Sequence, residues 1–224
     1  MRIRIKFSKR GSLKYIGHLD TMRYFQKLMR RAGIPIAYSN GMSPHQIMSF
    51  ALPLGIGDES VGEYADIELT GSVSSTDALA ALAACSAPGI EILSFKALPD
   101  DAKNAMSSVE AADYEIGFAN DPDLSAFSAF FAQNEIVVLK KTKKSENMID
   151  IKPFIFQYRV AEDRIFLRLK CGSVNNTKPE LVMDAFYHYL GLDFDENLLK
   201  IKRLDLLTVK GQDFVSLNDI GLEI

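Results

Sequence analysis

A histidine and an aspartate stand two positions apart, where the sequence predicts the start of a helix. His18 there would be a general acid or base, or a ligand for a phosphate at the positive end of the helix. Asp20 would orient that imidazole, or would interact favourably with the helix dipole in the first turn. Two interpretations follow. The pair is the centre of a metal-independent endoribonuclease, with His18 acting on the 2′-hydroxyl or the leaving oxygen, or it is a helix start without catalysis.

Other recognisable reaction centres are absent from the sequence. The histidines His18, His45 and His188 have neither HxxxH nor HxH spacing, and the cysteines Cys85 and Cys171 are too few for a zinc or iron–sulfur site. Neither a glycine-rich phosphate-binding motif nor a GxSxG nucleophile motif is present. We therefore expect no metal and no cofactor.

Four cations share one face of the helix predicted over residues 18–32. This basic stripe consists of Arg23, Lys27, Arg30 and Arg31, and Lys9 and Arg10 lie in a predicted turn before the helix. Only Arg23 has an acid, Asp20, at helical pairing distance. Such a face suits the phosphates of a nucleic acid.

A polar loop follows the helix directly. This motif loop, residues 38–45 (YSNGMSPH), carries Tyr38, Ser39, Asn40, Ser43 and His45. Hydroxyl, amide and imidazole groups bind phosphates, and an aromatic ring stacks on a base. The same residue types also favour turns for local reasons.

The charge of the chain is strongly uneven. The formal net charge of −3 divides into +9 over residues 1–50, −13 over residues 51–135 and +1 over residues 136–224. A cluster of like charge needs a partner. The partner is the acidic middle of the same chain, an acidic protein, or a polyanion such as RNA.

The order of predicted elements occurs twice. Residues 1–98 follow β-α-β-β-α-β apart from one additional short strand, residues 99–112 have no clear apolar period, and residues 113–224 repeat the order. We expect an α+β protein with two tandem ferredoxin-like (split βαβ) domains and antiparallel sheets. The N-terminal domain, 1–98, would carry the basic stripe and the motif loop, 99–112 would be a linker, and 113–224 would be the C-terminal domain.

The sequence has no apolar stretch long enough to span a membrane, and its first ten residues do not have the pattern of a signal peptide. We therefore expect a cytoplasmic protein with reduced cysteines and no membrane partner.

Several segments of the first seventy residues resemble a known family. They are 14–23 (KYIGHLDTMR), 30–35 (RRAGIP), 38–45 (YSNGMSPH), 49–57 (SFALPLGIG) and 63–64 (EY). The chain resembles the radical-SAM-linked domain of unknown function (DUF2344 type) of bacteria, in its stand-alone form. The resemblance implies association with a radical-SAM protein acting on RNA, and without cluster-binding cysteines any radical chemistry belongs to that partner.

Three functions therefore remain open. The first is a non-catalytic accessory that binds tRNA or rRNA and works with a radical-SAM modifying enzyme. The second is the endoribonuclease using His18, and the third is a protein–protein docking module without RNA contact. The predicted nucleic-acid-binding residues are Lys9, Arg10, His18, Arg23, Lys27, Arg30, Arg31, Tyr38, Ser39, Asn40, Ser43 and His45.

Overall fold

The computed structural model describes residues 1–120, 122–141, 146–172 and 176–224. These residues form an α+β structure with mostly antiparallel strands and five α-helices. The chain divides into two compact units. Unit 1 comprises Met1–Glu110 and Arg203–Ile224, and unit 2 comprises Ala111–Lys202.

Unit 1 contains five whole strands, the later part of a sixth, and three of the helices. Its elements are β1 (Arg2–Lys9), α1 (His18–Arg31), β2 (Met48–Phe50), β3 (Glu59–Glu68), α2 (Ser75–Cys85), β4 (Ile90–Ala97), α3 (Ala105–Ser108), the later part of β10 (Leu199–Lys210) and β11 (Asp213–Ser216). β1 pairs antiparallel with β3 and β4, and β2 pairs antiparallel with β3, which gives the order β4-β1-β3-β2. β10 also neighbours β3, and β11 pairs with β10.

Alternation in β1 builds the core of unit 1. Ile3, Ile5 and Phe7 are fully buried because the period of a strand directs every second side chain to the same face. Helix α1 covers that face with Phe25 and with Leu28, both also buried. The predicted helix over residues 18–32 is thus confirmed within one residue at its end.

Unit 2 contains the remaining elements. They are β5 (Ala111–Phe118), α4 (Phe127–Phe131), β6 (Val137–Lys141), β7 (Glu146–Asp150), β8 (Ile155–Val160), β9 (Arg164–Lys170), α5 (Pro179–Tyr189) and the first residues of β10. Strands β5 and β8 pair antiparallel with β9, and β10 neighbours β5. β6 and β7 form a separate hairpin.

The units do not follow the predicted boundaries. The sequence interpretation assigned residues 113–224 to one domain, whereas Arg203–Ile224 belongs to the unit that contains the N-terminus. Hydrogen bonds explain the difference. The Ser75 N–H donates to the Ile224 carbonyl at 2.6 Å, and Ala97 exchanges two backbone hydrogen bonds with Leu222.

Among the residues that the structure describes, no helix is long and apolar enough to cross a membrane.

Candidate nucleic-acid interface

The basic stripe lies on the outer face of α1. Its four side chains are exposed, whereas the opposite face of the helix is buried through Phe25, Leu28 and Met29. Gly33, with φ of 66°, ends the helix and allows the Ile34 N–H to bind the Met29 carbonyl at 3.0 Å. Core packing thus orients the helix and directs the stripe to solvent.

Three members of the stripe have no acidic partner among the residues that the structure describes. Arg23 contacts Asp20 at 3.3 Å, and because both side chains are mostly exposed this pair is weak. Within the described parts of the chain, Lys27, Arg30 and Arg31 form no ion pair. The helix dipole favours cations in its last turn, which accounts for the position of Arg30 and Arg31 but does not neutralise them.

The four cations of β1 have their partners inside unit 1. Arg2 donates to the carbonyls of residues 99, 100 and 102. Arg4 forms two hydrogen bonds with Asp66, at 2.8 and 2.9 Å, and Lys6 pairs with Asp205 at 3.3 Å. Eight of the ten cations of residues 1–50 therefore form two groups, a paired group on β1 and an outward group on α1.

Three acids of the described acidic middle, Glu59, Glu63 and Asp66, bind groups other than the stripe. Glu63 is buried and binds Arg203 through two hydrogen bonds, at 2.8 and 2.6 Å. Glu59 accepts from the Gly11 N–H at 3.1 Å, and Asp66 is paired with Arg4. Part of the acidic middle thus stabilises buried arginines, while the stripe keeps its charge.

Lys9 is not on the surface as the sequence predicted. It is 3% exposed, and its ammonium donates to the carbonyls of Ile16 at 2.7 Å and Lys14 at 3.4 Å. Burial lowers the pKa of Lys9, and the charges of Glu63 and Asp58 act in the opposite direction. Lys9 therefore fastens the segment before α1 to β1 and cannot contact a phosphate in this arrangement.

His18 and Asp20 do not form a pair. His18 is half-buried, with its ring edge-to-face against Phe50 at 5.6 Å between centroids. Asp20 is exposed and contacts Arg23 instead. The pocket beside His18, which Lys9 and Glu63 also line, has a volume of about 20 Å³. That volume admits about one water and not a phosphate, so the pocket does not support the proposed catalytic pair.

Hydrogen bonds between its two ends close the motif loop. The Ser39 N–H donates to the His45 carbonyl at 2.8 Å, and the Ser39 hydroxyl accepts from the His45 N–H at 3.1 Å and lies 2.8 Å from Nδ1 of the same residue. Asn40 and Ser43 are exposed, as are His45 and Tyr38. The two ends of the loop are therefore hydrogen-bonded to each other, and four of its five predicted binding residues are exposed to solvent.

Gln46 joins the motif loop to α1, and the sequence interpretation missed it. Its Nε2 donates to the Gln26 carbonyl at 3.1 Å and to the Tyr38 hydroxyl at 3.3 Å. A carbonyl accepts but cannot donate, so the nitrogen of the amide must face Gln26. Gln26 lies on α1 next to the stripe, at an angle of about 60° from Arg23. The stripe and the loop therefore form one connected surface of unit 1.

Arg10 is the remaining predicted residue. It is exposed, and its backbone N–H donates to the Gly89 carbonyl at 2.8 Å. No hydrogen bond among the described residues links Arg10 to the motif loop. The same residues contain no group of three histidine, cysteine or acidic side chains that could hold a metal.

Comparison with known proteins gives one family. A family model described as an uncharacterized protein conserved in bacteria (DUF2344) matches residues 2–179. None of the curated proteins matches the chain.

Proposed function

The chain belongs to the family of uncharacterized bacterial proteins DUF2344, and from this premise we propose that it is a non-catalytic accessory that binds RNA through the basic stripe and the motif loop. The proposal rests on Lys27, Arg30 and Arg31, which are exposed and have no acidic partner among the described residues. A surface that keeps three such charges side by side favours a polyanion.

The spacing of the stripe fits a phosphate backbone. Arg23 and Arg31 are eight residues apart, which corresponds to about 12 Å along a helix, and the four side chains fall within about 100° of its circumference. The connected motif loop adds hydroxyl, amide and imidazole groups at the side of Gln26. Such groups bind phosphate oxygens and position a nucleic acid.

The partner and the finer architecture belong to the same proposal. The segments that resemble the radical-SAM-linked domain include the motif loop and three of the four stripe residues, Arg23, Arg30 and Arg31. This supports an accessory that presents tRNA or rRNA to a radical-SAM enzyme in the bacterial cytoplasm. The strand orders β4-β1-β3-β2 and β10-β5-β9-β8 support a ferredoxin-like plan for each unit.

Salt-dependent binding of labelled RNA, followed by fluorescence anisotropy, tests the proposal. Replacing Lys27, Arg30 and Arg31 by glutamine should weaken binding and reduce the slope of log K against log salt by about 2 to 3, since each lost phosphate contact removes about 0.7–0.9. The matched control replaces three exposed lysines outside the stripe by glutamine and should leave the salt slope unchanged. They are Lys103, Lys178 and Lys200.

Other outcomes identify the other functions. An unchanged slope in the stripe variant, or equal losses in both triple variants, would refute an RNA interface on α1. RNA cleavage by the wild-type protein that disappears in His18→Ala would replace the accessory with an endoribonuclease. Absence of RNA binding together with capture of an acidic protein partner would indicate a docking module.

A further inference from the structure

We infer that the interface takes unpaired RNA, with two bases stacked on Tyr15 and Tyr38. The inference rests on the proposed function and adds to it the class of RNA. Its basis is a pair of exposed aromatic side chains in unit 1, at the start of the basic helix and beside its middle.

Both tyrosine rings are open to solvent. Tyr15 is 65% exposed and Tyr38 is 47% exposed. Aromatic rings in folded proteins are usually well buried because of their large apolar area. Every nucleobase has a flat π-face, so an exposed ring beside phosphate-binding cations is a stacking platform for a base.

The ring of Tyr38 is held in place before any ligand arrives. Its hydroxyl accepts from Gln46 Nε2 at 3.3 Å, and the same nitrogen binds the Gln26 carbonyl on α1. The polar end of the side chain is therefore anchored while the ring remains accessible. A platform fixed in this way loses little conformational entropy when a base stacks on it.

Tyr15 precedes the helix that carries the stripe. It ends the short 3-10 helix Gly11–Tyr15, three residues before α1, and the ammonium of Lys14 lies 5.3 Å from the centre of its ring. A nucleotide can stack its base on the aromatic ring while its phosphate contacts the neighbouring cation. One ring thus lies three residues before α1 in the chain, and the other is linked to Gln26 of α1 through Gln46.

Other apolar side chains of unit 1 are unusually exposed. They are Leu19 (63%), Met42 (105%) and Ile56 (71%). Leu19 lies on α1 on the same side of Arg23 as Gln26, at about 40° from Arg23. Met42 is in the motif loop. Exposed apolar side chains on α1 and in the motif loop, together with the cations of the stripe, suit a partner with both negative charge and flat apolar groups.

Charge alone would favour the opposite class of RNA. A duplex has a higher density of phosphates than a single strand, so a purely electrostatic surface binds the duplex at least as tightly. In a duplex the bases are stacked on each other and cannot reach a tyrosine, whereas loops and single strands expose them. Preference for unpaired RNA is therefore a signature of stacking.

The experiment compares a single-stranded RNA with a duplex of the same number of phosphates, by anisotropy over a salt series. The variants are Tyr15→Ala, Tyr38→Ala and Tyr38→Phe, with Tyr189→Ala, an exposed tyrosine of unit 2, as the matched control. Wild-type protein should prefer the single strand. Each of the first two variants should lose about 5- to 150-fold in affinity for it, without a change in salt slope. Tyr38→Phe keeps the ring but loses the anchor to Gln46, so it should lose less affinity than Tyr38→Ala. Tyr189→Ala should retain the wild-type affinity.

The outcomes separate this inference from the proposed function. If RNA binds with a steep salt dependence, but the duplex binds equally well or the alanine variants are unchanged, stacking is refuted and the RNA interface stands. If neither RNA binds the wild-type protein, the proposed function itself fails. If polyglutamate of equal charge displaces the labelled RNA as well as unlabelled single-stranded RNA does, the surface recognises charge alone, and the inference is overturned.

Discussion

Replacing Arg203 with methionine should lower the free energy of unfolding of unit 1 by about 3–5 kcal/mol, the usual cost of leaving one member of a buried ion pair without its partner. The side chains of Arg203 and Glu63 are only 2% and 7% exposed. Two charge-assisted hydrogen bonds join them, and Arg203 also donates to the Leu52 carbonyl at 2.9 Å. Hydrogen bonds to charged groups contribute about 1.5–3 kcal/mol each, so the two bonds to the carboxylate give about 3–6 kcal/mol, which overlaps that estimate.

Urea unfolding followed by circular dichroism measures the effect. With a slope of about 2 kcal/mol/M, the midpoint should fall by about 2 M. Arg23→Met is the matched control, because its pair with Asp20 is exposed and should contribute less than about 1 kcal/mol. If Arg203→Met fails to fold, the double variant Glu63→Leu/Arg203→Met tests the same ion pair. Removing both charges leaves no unpaired buried charge, so the double variant should regain much of the lost stability.

A loss below about 1 kcal/mol in Arg203→Met would refute the reasoning. It would mean that Glu63 is not held by Arg203 and is available to neutralise other cations of the basic N-terminal segment. The stability measurement therefore also bears on the charge of the proposed RNA surface.

Two further substitutions test the packing and the electrostatics of unit 1. A methyl group on Gly62 would lie 2.4 Å from the Leu204 carbonyl oxygen and 2.5 Å from the Asp205 Cα, so Gly62→Ala should cost at least the roughly 1–3 kcal/mol of an overpacked core. Gly71→Ala, whose nearest neighbour would be 3.7 Å away, should be nearly neutral in the same urea assay, and similar losses in both would contradict the close approach. Burial lowers the pKa of Lys9 in the folded state below the ordinary value of 10.5. At a pH between these two pKa values, the unfolded state therefore binds more protons than the folded state. Wild-type stability should therefore rise relative to Lys9→Met as the pH increases toward 10.5, and parallel stability–pH curves would rule this out.

The spacing of apolar residues in the sequence predicted individual helices and strands. The apolar period of α1, its end at Gly33 and the alternation of β1 all follow from residues within one helix or strand. The same alternation contains a signal that the interpretation of Lys9 overlooked. Lys9 has the parity of Ile3, Ile5 and Phe7, which places it on the buried face and not in an exposed turn.

Contacts between distant residues could not be read from the sequence. Glu63 and Arg203 are 140 positions apart, and no spacing rule relates them. The link of Gln46 to Gln26 depends on where the motif loop crosses α1, which is a property of the folded chain. The sequence therefore indicated which cations lie on α1, but not which acids are already paired elsewhere.

The return of Arg203–Ile224 to unit 1 has a consequence for synthesis. At about 5–20 residues per second, a ribosome needs roughly 5–20 s to add the intervening unit 2 before Arg203 is made. During that time Glu63 lacks Arg203 as its partner, and Ser75 lacks the carbonyl of Ile224. The first segment to leave the ribosome thus belongs to the unit that is completed last, and an expressed fragment ending at Lys202 would keep the basic stripe and the motif loop but lack these two contacts.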